Sequence, residues 1–222
     1  MTRSLRRQPP IPRAIFTEWW WPPSPTVYRT VPMGYSSFEN LLVPEVDPGP
    51  GVGYLWAHGF KLVGGGAGHI GFQTDGGDKR AIFLIEGGRS AAGNGFGNGS
   101  SIPFPWVAGN EYALRVWTDE PGWWGALVQD QTDGREVEIG RIVVPPDWRR
   151  LTSWSVMSTE YLGAPLASCD GLPHSSVVFG EPTANDGRVV PERSSNRLGD
   201  GTCEASWVES VGEGVRHQMG SR

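Results

Sequence analysis

Residues 53–62 (GYLWAHGFKL), 69–74 (HIGFQT) and 80–86 (RAIFLIE) decide the fold. The first segment alternates large and small side chains, which places its large ones on one face of a strand: Tyr54, Trp56, His58, Phe60 and Leu62. The glycine run 64–68 and the run 75–78 (DGGD) between the segments supply the positive φ angles of tight turns. The three segments therefore predict an antiparallel meander.

Further strand patterns follow at similar spacing along the chain. They cover residues 111–118, 124–130, 137–144, 151–161, 177–179, 203–208 and 215–219. Gly140 interrupts one alternation and predicts a β-bulge, whereas 87–110 and 181–201 have loop composition. With little or no helix in the pattern, the chain is predicted to be all-β: a two-sheet antiparallel β-sandwich of the jelly-roll or lectin-like type.

The composition is that of a folded domain. The 222 residues include 32 Gly and 19 Pro, but also 11 Trp, and disordered chains are poor in aromatic residues. We therefore expect the glycines and prolines to mark turns. The first residues carry four arginines among prolines, so we expect a flexible basic N-terminal arm over 1–14 and a single β-sandwich domain over 15–222.

Charge and hydrophobicity exclude several partners. The net charge is -5 without a basic stripe, which argues against nucleic acid, and no apolar run is long enough to span a membrane. No secretion leader is recognisable, so we expect a cytoplasmic protein. Cys169 and Cys203 could form a disulfide in an oxidising compartment, whereas a cytoplasmic location favours two buried thiols.

Four segments together resemble a bacterial family known as a domain of unknown function, often attached to secreted carbohydrate-related proteins. They are YLWAHGF (54–60), GGGAGHIGFQ (64–73), YLG with SCDGLP (161–173) and FGEPTAN (179–185). The resemblance covers most of 27–219 and implies a lectin-like β-sandwich. This chain departs from the family in having His69 and Glu86 where relatives tend to have aromatic residues, and in lacking a leader.

Aromatic residues are the first candidates for a binding site, because their rings bury area on planar or sugar ligands at little entropic cost. We expect ligand to be held by residues of the central strands: Trp56, Phe60, Gln73, Trp117 and Trp124. Each Trp could equally be core packing. The cluster 19–21 (WWW) stands before Pro22 and is not expected to form a strand; it could act as a lid or cover a sheet edge.

His58, His69 and Glu86 are the catalytic candidates. If the meander forms, both histidines are expected on one side of the sheet, with Glu86 at the end of the third strand. A carboxyl group among Trp rings would have a raised pKa and could serve as a general acid, with a histidine as base. The alternative is an exposed carboxylate and two hydrogen-bonded core histidines, and a one-residue change of register would reverse any side chain.

No metal site or cofactor is expected, with calcium as the one possibility considered. Asp75 with Asp78, and Asp130 with Asp133, could bind Ca²⁺ together with loop carbonyls, but turn aspartates usually bond their own backbone. The sequence has no nucleophile elbow, phosphate-binding loop or zinc motif.

Two functional hypotheses follow. The first is a small-molecule or carbohydrate-binding β-sandwich with an aromatic-lined site. The alternative is an intracellular biosynthetic enzyme, an acid-assisted cyclase or isomerase without cofactor, that uses the same pocket. A structural interaction domain is the third possibility, since fold alone does not settle function.

Overall fold

The structure is a computed structural model that describes residues 14–22, 34–75, 77–91, 95–96, 98–199 and 203–221. The expected arm at 1–14 lies outside these residues except for Ala14. The described chain consists of strands and one 3₁₀ turn at Cys169–Gly171. None of the described residues forms a helix with the length and apolar character needed to cross a membrane.

Two antiparallel sheets form the sandwich. The eight-stranded sheet has the order β15-β1-β12-β3-β4-β5-β8-β7. Its strands are β1 (Ala14–Trp20), β3 (Tyr54–Leu62), β4 (Ala67–Asp75), β5 (Asp78–Ile85), β7 (Gly95–Phe96), β8 (Gly99–Pro103), β12 (Leu151–Tyr161) and β15 (Arg193–Leu198). The predicted two-sheet antiparallel β-sandwich is confirmed.

The nine-stranded sheet has the order β16-β17-β13-β2-β9-β10-β11-β6, with β14 added beside β2. Its strands are β2 (Ser37–Pro44), β6 (Arg89–Ser90), β9 (Tyr112–Trp117), β10 (Trp123–Asp130), β11 (Glu136–Val143), β13 (Ser175–Phe179), β14 (Thr183–Ala184), β16 (Trp207–Val211) and β17 (Gly214–Met219). The pairing of β10 with β11 changes register between Ala126 and Leu127, so that β11 has one extra residue next to Gly140, whose φ is 157°; this is the predicted bulge.

The β3–β4–β5 meander has the predicted pairing. Its glycine turn is required for two reasons. Gly64, Gly65 and Gly66 have positive φ, and a Cβ on each would press on the ring of Trp148, which lies over the turn. Trp148 therefore closes this end of the meander.

Aromatic side chains fill the space between the sheets. The rings of Trp56 and Trp106 meet edge to face at 5.0 Å, and Phe72 meets Tyr112 in the same way at 5.2 Å. All four side chains have less than 2% exposure. Edge-to-face contacts add to area burial, so this cluster is a major source of stability.

Three segments differ from the sequence-based expectation. The 19–21 tryptophans are not a lid: Trp19 and Trp20 end strand β1, and Trp21 continues it by a hydrogen bond to Ser153. The expected loop over 87–110 contains the short strands β6, β7 and β8. The expected loop over 181–201 contains β15, an edge strand whose residues are all exposed.

The two cysteines are bonded to each other. Cys169 and Cys203 form a disulfide with 5.7 Å between their Cα atoms, and the expectation of two free thiols was wrong. The bond ties the 3₁₀ turn at Cys169–Gly171 to the segment before β16. It closes a chain segment of 34 residues.

Candidate functional site

One face of the eight-stranded sheet points away from the nine-stranded sheet, and we call it the outer face. Along β3 the large residues point into the core, so Leu55, Ala57, Gly59 and Lys61 point outward. The strand registers then place outward residues of neighbouring strands side by side. The outer face therefore carries polar and aromatic side chains, whereas the inner face of the same sheet packs into the core.

A row of small residues crosses the middle of the outer face. Ser158, Ala57 and Gly71 are aligned on β12, β3 and β4, and Ala57 is only 1% exposed although it points away from the core. Longer side chains shield this row from both sides: Glu160, Leu55, Gln73 and Arg80 on one, Val156, His69 and Leu84 on the other. Each flanking row is two residues from the middle row along the strands, so the two flanking rows are four residues, or about 13 Å, apart. The row of small residues therefore lies below the longer side chains on either side and is covered by them, and we call it the trough.

Gly71 makes the trough floor possible. A Cβ at this position would overlap the carbonyl oxygen of Trp56 on the neighbouring strand. The strands β3 and β4 can therefore keep their close approach only with glycine here.

Aromatic rings stand beside the trough at the β1–β12 side. Trp20 and Trp154 are direct cross-strand partners, and both are half-buried. The guanidinium of Arg193 lies 4.7 Å from the Trp20 ring, and Lys61 Nζ lies 5.0 Å from the Trp154 ring. These four residues form a line across β15, β1, β12 and β3, which we call the Trp row.

Carboxylates also face outward on β1 and β12. Glu18 accepts a hydrogen bond from Arg197 Nε at 3.1 Å, so its charge is partly neutralised. Arg197 in turn covers the ring of Phe16 at 4.1 Å. Glu160 lies across Leu55 from Gln73, two strand spacings or about 9.5 Å away. The trough thus offers carboxylate, amide and guanidinium groups to a polar ligand.

His69 and Glu86 are the two catalytic candidates that lie on this side of the sheet. His69 is half-buried and pairs with Gly59, while Glu86 is exposed just beyond the end of β5. Burial lowers the pKa of His69 below its ordinary 6.5, against the opposing charge of Glu86. The imidazole is therefore neutral at pH 7 and can accept a proton.

His58 lies on the opposite side, so the expectation that both histidines share a face was wrong. Its pairing partner is Ile70, one residue beyond His69, and alternation sends the two imidazoles to opposite faces. His58 is fully buried and connects the two sheets: Nδ1 donates to Asn40 Oδ1 at 2.9 Å, and Nε2 accepts from Ser155 at 2.7 Å. Burial lowers the pKa of His58 to about 3.

A second buried histidine was not among the candidates. His217 on β17 bonds Thr17 at 2.7 Å and Thr159 at 3.2 Å, both on the other sheet. Because the Thr17 hydroxyl donates to Asn196, the network assigns the proton to His217 Nε2. Burial lowers the pKa of His217 to about 3 as well. Both histidines serve as neutral connections between the sheets.

Most of the aromatic residues expected to hold ligand pack in the core. Trp56 and Trp124 have 0% exposure and Phe60 has 2%. The indole N–H of Trp56 also has its partner in the core, since Nε1 donates to the Ser175 hydroxyl at 3.0 Å. Trp117 is half-buried on the outside of the nine-stranded sheet, where its ring covers Gly125. Of the expected ligand residues, only Gln73 reaches the outer face.

The turn aspartates bond their own backbone. Asp130 accepts from the amide of Thr132 at 2.8 Å, and Asp133 accepts from that of Arg135 at 2.9 Å. Within the described ranges, no group of three or more His, Cys, Asp or Glu side chains is arranged to hold a metal ion. The side chain of Asp75 lies outside the described part.

Sequence reasoning missed Trp154 and Glu18 as site residues. It named Trp20 only within the 19–21 cluster, and Glu160 only within a possible second polar cluster with Asp170 and His174. Alternation along 151–161 places Trp154 on the face opposite Ser155. Serine commonly faces solvent, yet Ser155 is 1% exposed and bonds His58 in the interior. Alternation located the two faces of this strand but not which one is buried.

Two solved structures of other proteins have a fold similar to that of this chain. Scytalido-glutamic peptidase with a peptide-based transition-state analogue matches 94% of this chain and 98% of that one, with a TM-score of 0.59 and 12% identity. An Eqolisin-family peptidase in complex with the tripeptide Ala-Ile-His matches the same shares, with a TM-score of 0.57 and 11% identity. No protein-family profile or curated protein matches the chain. At these identities the likeness establishes the fold alone: this chain shares the β-sandwich of those peptidases.

Proposed function

We propose that this protein binds carbohydrate on the outer face of its eight-stranded sheet. The observation that carries the proposal is the side-by-side pair Trp20 and Trp154, two half-buried rings that point out of the sheet. Such rings are a typical surface for the apolar face of a sugar, because they add contact area at low entropic cost.

The trough next to these rings supplies the polar contacts that sugar hydroxyls need. Glu160 and Gln73 line one side of it, and both are partly exposed. Carboxylate and amide groups accept and donate hydrogen bonds in fixed directions, which gives specificity.

The proposal is tested by retardation in native gels that contain soluble polysaccharides, with titration calorimetry on the oligosaccharides of those that bind. We expect Trp20→Ala and Trp154→Ala each to weaken binding about tenfold. Trp117→Ala is the matched control, because it removes a half-buried tryptophan from the other sheet. Undiminished binding in both outer-face variants, or loss confined to Trp117→Ala, would move the site elsewhere.

Peptide is the competing ligand class. The two peptidases of similar fold were solved with a peptide-based analogue and with a tripeptide. A panel of unstructured peptides in the same calorimetric assay separates the two ligand classes. Binding of peptide without binding of any polysaccharide would overturn the carbohydrate proposal.

An enzyme is the second candidate, favoured by the neutral His69 beside the charge of Glu86. The acid-assisted cyclase or isomerase expected from sequence needs Glu86 in an enclosed aromatic pocket, and Glu86 is exposed instead. A role of His69 as general base on a bound ligand suits the arrangement better. Turnover of a bound oligosaccharide that is lost in His69→Gln, with binding retained, would support it; equal turnover in that variant would exclude it.

The cytoplasmic location remains a prediction, and the Cys169–Cys203 bond tests it. Disulfides persist in oxidising compartments and are kept reduced in most cytoplasms. Rapid acid quenching of the producing cells, alkylation and intact-mass measurement report the native state of the cysteines. A fully oxidised protein would contradict a cytoplasmic location.

A further inference from the structure

The Trp row carries two positive charges, one at each end. Arg193 lies against Trp20 and Lys61 lies against Trp154, and both cationic side chains are exposed. Strand spacing places the Cα atoms of Arg193 and Lys61 about 14 Å apart. The row therefore has the order cation, ring, ring, cation.

These two cations differ from several others on the surface. Arg197 is held by Glu18 at 3.1 Å, Arg115 by Asp186 at 2.6 Å, and Arg216 by Glu45 at 2.8 Å. Among the residues that the structure describes, neither Arg193 nor Lys61 has a carboxylate within ion-pair distance. Both cations lie against aromatic rings, and a cation–π contact at an exposed site is weak enough to leave the charge available to a ligand.

We propose that the Trp row recognises an acidic polysaccharide, with uronic-acid carboxylates at Arg193 and Lys61 and sugar rings against the parts of Trp20 and Trp154 that the two cations leave exposed. This inference rests on the proposed carbohydrate-binding function and adds the substrate class. Arg193 has the planar fork that matches a carboxylate, and Lys61 supplies a point charge. The two cations stand on strands at opposite ends of the row, with their Cα atoms three strand spacings apart, so they suit carboxylates on separate sugar units, which a repeating uronate provides.

Two of the glutamates on the outer face do not oppose this assignment. Glu18 is two residues before Trp20 and is engaged by Arg197. Glu160 lies near the far end of β12, six residues from Trp154, or about 20 Å along the strand. Arg193 also borders a surface pocket lined by Glu181, Glu192 and Glu213, so the assignment depends on its guanidinium being directed toward Trp20, 4.7 Å from the ring.

The test compares two ligands that differ only in charge: oligogalacturonate and its methyl ester. We expect calorimetric binding of the acid form, at least tenfold weaker binding of the ester, and a loss of affinity as salt is raised from 50 to 500 mM. Lys61→Gln and Arg193→Gln should each weaken binding of the acid form about tenfold. Arg115→Gln, a surface cation on the other sheet, is the matched control and should bind as the parent protein does.

Each alternative result has a separate meaning. Equal binding of acid and ester, still dependent on Trp20, would overturn the acidic substrate class and leave carbohydrate binding in place. Tighter binding of dextran sulfate than of oligogalacturonate would overturn the choice of a carboxylated sugar. Binding of neither uronate form nor any neutral polysaccharide would remove the proposed function together with this inference. Circular dichroism of both variants establishes that they are folded.

Discussion

Lowering the pH from 7 to 5 should destabilise this protein through its two buried histidines. In the folded state His58 and His217 both have a pKa of about 3, and in the unfolded chain each returns to about 6.5. Below pH 6.5 the two histidines are therefore protonated in the unfolded state but stay neutral in the folded state until the pH approaches 3. Stability is full above pH 6.5 and falls as the pH drops toward 3.

The size of the effect follows from the pKa difference. Each histidine contributes about 1.4 kcal/mol per pH unit below 6.5, or about 2 kcal/mol at pH 5, and the two together about 4 kcal/mol. Unfolding free energies of domains are about 5–15 kcal/mol, so this is a large fraction. Ordinary carboxyl groups titrate near pH 4, below this window.

The assay is urea unfolding at pH 7.5, 6.5, 5.5 and 5.0, followed by tryptophan fluorescence and circular dichroism. His58→Gln and His217→Gln keep a hydrogen-bonding side chain but cannot take up a proton, so each should remove close to half of the slope between pH 6.5 and 5. His69→Gln serves as the control on the outer face and should change the slope less. An unfolding free energy that is equal at pH 7.5 and 5.0, or an unchanged slope in both buried variants, would refute the reasoning.

Three further outcomes are expected. Gly71→Ala should lower the unfolding free energy by about 3 kcal/mol or more, because its Cβ overlaps the neighbouring strand; thermal unfolding measures this, and a loss below 1 kcal/mol would contradict it. Replacing Cys169 and Cys203 by Ser should cost about 3–4 kcal/mol in urea unfolding, from the freedom returned to a 34-residue loop; equal stability would contradict it. Glu86→Gln should lower the pKa of His69 in an NMR titration, because the negative charge that raises this pKa is removed. An unchanged pKa would show that the Glu86 charge does not act on His69.

The meander was predictable from sequence because its turns are chemically distinctive. Glycines at 64–66 and the DGGD run fix both turns. Alternation along β3 then places every second residue, from Tyr54 to Leu62, on the same face. The bulge at Gly140 was predictable for the same reason. Local backbone requirements of this kind are visible in a single chain without any knowledge of its tertiary contacts.

The site was harder to predict because polarity did not separate inside from outside. On β12 the polar residues Ser155 and Thr159 are buried, where they bond the buried histidines, while Trp154 faces out. A rule that places serine in solvent and tryptophan in the core therefore reverses this strand. The pairing of β1 with β12, which joins residues more than a hundred positions apart, created the Trp20–Trp154 contact. No local pattern indicates such a pairing.

The hydrogen bond between Thr17 and His217 joins residues 200 positions apart in the chain. It cannot form until β17 has left the ribosome, and β1 must remain available until then. Long-range contacts of this kind slow folding, because the entropy of closing a large loop is lost before any contact compensates. During synthesis the polar groups of β1 and β12 that will meet His217 are left without this partner. Closure of β1 against β17 therefore has to wait for the synthesis of β17, and aggregation competes with folding during that interval.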